Sequence, residues 1–65
     1  MPIVSIYAWE TTLDPDVERK LIAELTDAVV NTFGEQIRPM TTVLIDAVPL
    51  SRWGSGGRPA TDFGG

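Results

Sequence analysis

The sequence contains no cysteine and no histidine. Without cysteine there is no disulfide, no thiolate nucleophile and no thiolate metal ligand. Without histidine a Ser-His-Asp triad is excluded and a zinc site is disfavoured, so no metal is expected. Positive charge is also scarce: 5 Lys and Arg stand against 9 Asp and Glu, for a net charge of −4. No basic stripe exists to displace counterions from phosphates, which argues against nucleic acid and against an anionic membrane surface. No apolar run approaches the roughly 20 residues of a membrane-spanning helix. The first residues lack the basic start and long apolar stretch of a signal peptide. The expectation is a cytoplasmic chain.

The chain is also short. Its 65 residues are read as one domain, 1–65. So small a domain buries a limited share of its surface and is marginal alone. The usual remedies are disulfides, a metal or oligomerisation. With the first two disfavoured, oligomerisation remains, and 43% hydrophobic content suits burial against copies of itself.

Ile3 to Trp9 reads as a strand rich in β-branched and aromatic residues, interrupted only by Ser5. Such a run predicts cover on both faces, as in a parallel sheet. Glu10 to Leu13 is a short loop. Asp14 then has the character of an N-cap, with Pro15 at the first helical position and Asp16 and Glu18 in the first turn. Val17, Leu21, Leu25, Ala28, Val29 and Phe33 recur at helical spacing and predict an apolar stripe on a helix over about 14–33. Gly34 closes it. Glu35 to Pro39 is a connection, in which Pro39 biases Arg38 towards extended geometry. Thr41 to Val48 reads as a second strand. Strand, helix and strand make a β-α-β unit with parallel strands and a right-handed crossover. The Gly- and Pro-rich segment from Pro49 to Gly65 carries no core and is expected to form a tight hairpin or to wrap a neighbour. Two strands and one helix leave a sheet face bare, and that face is expected to meet another protomer.

Catalytic groups are few. Asp14, Asp16, Glu18, Glu24, Asp27 and Lys20 all fall on the predicted helix and read as a cap and a solvated face. Gly54-Ser55-Gly56-Gly57 lacks the Lys and Ser/Thr of a phosphate-binding loop and reads as a turn. Pro2 stands apart. Proline after an initiator Met is compatible with Met1 removal, which would leave a secondary amine at the head of the first strand. An ordinary α-amino group titrates near pH ~8, and desolvation lowers that value. A base near neutrality suits proton abstraction beside a carbonyl. Taken alone, Pro2 reads as a plain chain start, since proline at the second position is common.

Met1-Pro2-Ile3 leading straight into a strand, the acid-started helix, the second strand ending in Ile45-Asp46 and the Arg52-Trp53-Gly54-Ser55-Gly56-Gly57 segment occur together in order and spacing. In these features the chain resembles the 4-oxalocrotonate tautomerase family over nearly its whole length. The resemblance implies an α/β protomer, β-α-β with a C-terminal hairpin, assembled from dimers into a hexamer. It implies Pro2 as general base in keto-enol tautomerisation of a small 2-oxo or 2-hydroxy unsaturated acid, with no cofactor. Related members hydrate, dehalogenate or decarboxylate similar acids. It places Trp53 as an aromatic pocket residue, and Trp9 as a further wall or as interface packing.

Departures accompany the resemblance. The family holds substrate carboxylates with two arginines, and the matching positions here fall on Thr11-Thr12 and Thr41. The remaining guanidinium candidates for substrate binding are Arg38, Arg52 and Arg58, although an arginine in such a place is more often a surface residue. A hydroxyl does not replace a bidentate fork on a carboxylate. The alternative to an isomerase is therefore a non-catalytic subunit or binding module of the same fold, in a homo-oligomer or beside an Arg-bearing partner in a hetero-oligomer.

Overall fold

A computed structural model describes residues 1–63; Gly64 and Gly65, the last two residues of the glycine-rich tail, lie outside the described residues. Strand β1 spans Ile3–Trp9 and strand β2 spans Thr42–Val48. They pair in parallel over their full length, from Ile3 opposite Thr42 to Trp9 opposite Val48. Helix α1, Pro15–Phe33, makes the crossover. Its start follows the sequence expectation: the Asp14 side chain accepts a hydrogen bond from the Val17 N–H at 2.9 Å, and Pro15 stands in the first turn. Its end is set by Gly34 at φ 108°, where an added Cβ would run into the Gln36 side-chain amide.

The connection from Glu35 to Met40 is a 3-10 helix rather than an irregular loop. Arg38 lies inside this turn, not in the extended geometry that a following proline favours. Local bonds prevail there: the Ile37 N–H donates to the Gly34 carbonyl and the Thr41 N–H to that of Arg38.

Side chains alternate across the strands. Val4, Ile6, Ala8, Val43 and Ile45 are half-buried on one face, while Ile3, Ser5, Tyr7, Thr42, Leu44 and Asp46 are exposed on the other. Cover on both faces is thus not achieved within the protomer: Tyr7 remains 66% exposed and Leu44 54%. The helix stripe is also narrower than its periodicity predicts. Leu21, Leu25 and Val29 are half-buried and Val30 is buried, whereas Val17, Ala28 and Phe33 are exposed. A two-stranded sheet is too narrow to cover a wide stripe.

Beyond β2, Leu50–Arg52 forms one 3-10 turn and Ala60–Asp62 another. Between them β3 (Gly54–Ser55) and β4 (Arg58–Pro59) pair antiparallel. Gly56 at φ 62° and Gly57 at φ 81° supply the two left-handed positions of the turn, the conformation that a two-residue hairpin requires. The expected hairpin is present. The segment does bury one residue, contrary to expectation: Ala60 is fully enclosed, and its N–H donates to the Trp53 carbonyl at 2.6 Å.

The protomer is thin. Val30 and Ala60 are its buried hydrophobic core among the described residues, and no large side chain is fully buried. Its accessible surface is 4660 Å², against about 4,100 Å² for a compact monomer of its mass. Its radius of gyration is 14.6 Å, against about 10.7 Å for a compact chain of its length.

Candidate active site

Parallel pairing brings the start of both strands and the end of α1 to one edge of the molecule. Pro2 stands at that edge, where its carbonyl accepts the Thr42 N–H at 3.0 Å and continues the ladder by one residue. The bond anchors the backbone that carries the proline ring. Around it lies an open cavity of about 350 Å³ lined by Met1, Pro2, Phe33 and Ile37. All four are apolar. Met1 is 87% exposed and forms one wall, so its removal would uncover the Pro2 nitrogen rather than disturb a packed residue.

Phe33 and Ile37 were not among the site residues expected from sequence. Phe33 reads as core stripe and Ile37 as connection. The available signal is topological: in a parallel β-α-β unit the C-terminus of the helix returns to the edge where the strands begin.

The other edge holds most of the remaining candidates. The Trp9 and Trp53 rings meet edge to face at 5.8 Å between centroids, and Phe63, a residue without a signal in the sequence, tilts against Trp9 at 6.4 Å. The Trp9 indole N–H is buried without a hydrogen-bond partner among the described residues. Arg52 and Arg58 flank this cluster in sequence. The Arg58 guanidinium lies 5.9 Å from the centre of the Phe63 ring and 3.9 Å from the Asp62 carboxylate. Seven residues of extended strand separate Pro2 from Trp9, about 23 Å at 3.3 Å per residue. Within one protomer the structure brings Pro2 together with Phe33 and Ile37, and not with Trp9, Trp53, Arg52 or Arg58.

Arg38 follows Ile37 in sequence, but its charge is already matched. Its Nε donates to Glu35 Oε1 at 2.8 Å and its Nη1 to Asp27 Oδ1 at 2.9 Å. The bond from Arg38 holds the Glu35 carboxyl below its ordinary value, and the bonds to Glu35 and Asp27 raise the guanidinium above its own. The two threonines at the positions of the family's arginines are engaged locally as well. Thr12 Oγ1 donates to the Trp9 carbonyl at 2.7 Å and Thr41 Oγ1 to the Ile37 carbonyl at 3.0 Å.

A parallel β-α-β protomer with a C-terminal hairpin and a proline at the apolar edge of its first strand has the architecture of a tautomerase subunit. The comparisons agree. Residues 2–62 match the family model described as tautomerase enzyme. A Dickeya dadantii protein named "Probable tautomerase" is 36% identical over 63 residues, 95% of this chain and 91% of that protein. The crystal structure of an apo unfused 4-OT superposes with a TM-score of 0.70 at 32% identity, covering 91% of this chain and 95% of that one. The chain belongs to the tautomerase family.

Proposed function

We propose that the protein is a cofactor-free cytoplasmic isomerase of the 2-hydroxymuconate tautomerase type, acting on a small 2-oxo or 2-hydroxy unsaturated acid with Pro2 as general base. The observation that carries this reading is the position of Pro2: tethered to β2 through its carbonyl and facing an apolar cavity. Once Met1 is removed, the ring nitrogen is a secondary amine whose direction the strand holds. Phe33 and Ile37 give that amine apolar neighbours. The free amine takes the proton of the substrate's 2-hydroxyl, and the electron pair moves through the conjugated chain. The ammonium returns a proton to a chain carbon, leaving the 2-oxo acid and the amine as it began. No atom is gained or lost, so no co-reactant is needed.

The protomer supplies only one side of such a site. An oligomer, a hexamer by family resemblance, would bury the exposed Ile3, Tyr7 and Leu44. It would also bring the Trp9 and Trp53 edge of one copy over the Pro2 edge of another. The Thr12 and Thr41 hydroxyls favour a second reading, a non-catalytic subunit in a homo- or hetero-oligomer, because neither position offers a guanidinium.

The two readings separate in a ketonisation assay on three samples: Met1-free wild type, Met1-free Pro2→Ala and a form with a blocked N-terminus, each verified by N-terminal mass spectrometry. General-base contributions are typically ~10²–10⁴-fold, so the blocked form should fall by that factor while Pro2→Ala keeps a partial rate. Equal rates for blocked and free forms would remove Pro2 from the chemistry and leave the non-catalytic reading.

A further inference from the structure

The turn that joins α1 to β2 is tied at both ends by side chains. α1 runs out at Phe33, and the last carbonyls of a helix have no partner within it. No basic residue stands in the last turn of α1 to meet them. A neutral amide does so instead: Gln36 Nε2 donates to the Phe33 carbonyl at 3.0 Å. That amide lies where a side chain at position 34 would begin, since a Cβ there would meet Gln36 Nε2 at 2.8 Å. Gly34 therefore serves the turn twice, through its φ of 108° and through the room it leaves for Gln36. At the far end Thr41 Oγ1 donates to the Ile37 carbonyl at 3.0 Å, and the Ile37 N–H donates to the Gly34 carbonyl at 3.2 Å. Both backbone polar groups of Ile37 are thus engaged.

Phe33 and Ile37 are the two residues that this segment brings to the Pro2 edge. Packing alone does little to keep them there: Phe33 is 62% exposed and Ile37 only half-buried. Their places follow from the backbone that carries them, and a turn with few buried contacts opens readily unless local bonds hold it. Resting on the reading of Pro2 as base, we infer that Gln36 and Thr41 are positioning residues, which hold Phe33 and Ile37 beside Pro2 without touching a substrate themselves. Position 41 acts from behind the wall of the site and not as a contact for a carboxylate. The Arg38 pairs do not serve this end, because they join side chains and engage neither the Phe33 nor the Ile37 backbone. Placement matters to the rate, since a shift of about 1 Å at a reacting site can lower turnover by up to ~10²-fold.

The test uses the full Met1-processed chain, with 2-hydroxymuconate as the enol. In the wild type, nuclear Overhauser contacts should join the Pro2 ring to the Phe33 and Ile37 side chains. Thr41→Val keeps the side-chain shape without the hydroxyl, and Gln36→Glu keeps the side-chain length without a donor at neutral pH. Each should weaken those contacts and lower kcat about three- to tenfold, with KM within about twofold. Thr41→Ser returns the hydroxyl and should return both contacts and rate. Gln36→Glu should regain its contacts, relative to wild type, below about pH 4, where its carboxyl is protonated and donates again. Arg19→Ala, on the exposed face of α1, should leave contacts unchanged and the rate within about twofold. A lower Tm with kcat unchanged well below it would show a merely structural role and overturn the inference. Contacts and rates indifferent to both variants would overturn it too, while leaving Pro2 as base. Contacts that weaken as expected, in a chain whose wild type turns over no faster with a free than with a blocked N-terminus, would sink the Pro2 reading and leave both braces standing.

Discussion

The two edges of the β-α-β unit differ in almost every chemical respect. At the edge where both strands begin, Met1, Pro2, Phe33 and Ile37 line an open apolar cavity. At the edge where both strands end, Trp9, Trp53 and Phe63 pack together, with Arg52 and Arg58 flanking them in sequence, and an indole N–H is buried without a partner among the described residues. One edge holds the proposed base among apolar walls. The other holds aromatic rings and two arginines. Parallel pairing forces this separation, because the start and end of a seven-residue strand stand about 20 Å or more apart. Under the proposed function the two edges would meet only if a second copy joined them.

The harshest way to break this arrangement is to keep the copies apart. Leu44, exposed on the outer sheet face, should tolerate Leu44→Arg in the protomer but not between protomers. The change forfeits ~1.5–3 kcal/mol of apolar burial and adds an unpaired charge, so association should weaken at least about a hundredfold. Light scattering would show smaller species, and turnover should disappear with assembly. A folded wild-type monomer of 7.1 kDa at micromolar concentration, active by itself, would defeat the idea of a shared site.

A complementation experiment sharpens the comparison further. A blocked-N-terminus chain should lack the base, and Trp53→Ala should lose about tenfold in rate through the missing aromatic cover. Co-refolded in equal amounts, the two should recover up to about a quarter of wild-type activity. That is the fraction of sites pairing an intact base with an intact aromatic edge if subunits mix at random in a symmetric oligomer. A site confined to one protomer would show no recovery above the average of the two parents.

The smallest effect concerns Arg38, which belongs to neither edge cluster. Its pairs with Glu35 and Asp27 are solvent-exposed, so Arg38→Ala should lower stability only slightly and leave KM unchanged. The sign with pH follows from Glu35. Its carboxyl is depressed in the folded chain, so its contribution is present above its ordinary value of 4.5 and lost as pH falls through the lower folded value. The Tm difference between wild type and Arg38→Ala should therefore shrink on acidification below pH 4.5. A larger KM for the variant at neutral pH would return Arg38 to the substrate.

By itself the sequence determined the local elements. Apolar runs set β1 and β2, and Asp14-Pro15 and Gly34 set both ends of α1. Gly56-Gly57 set the hairpin turn. Each depends on residues close along the chain: a cap, a fixed φ, a positive φ, a side-chain period. The interruption of the stripe at Ala28, the 3-10 turn through Pro39 and the enclosure of Ala60 were not legible, because each depends on what packs across from it. The same holds for the candidate site. Pro2 could be singled out from its place behind Met1, and the threonines from their places in a family pattern. Only the tertiary structure decided that Phe33 and Ile37 stand beside Pro2 while the tryptophans stand at the far edge. Only it decided that Arg38 faces Glu35 and Asp27 while Arg52 has no carboxylate partner among the described residues. Spatial neighbours of this kind are set by strand direction and crossover length, which place residues dozens of positions apart side by side and hold residues of one strand apart.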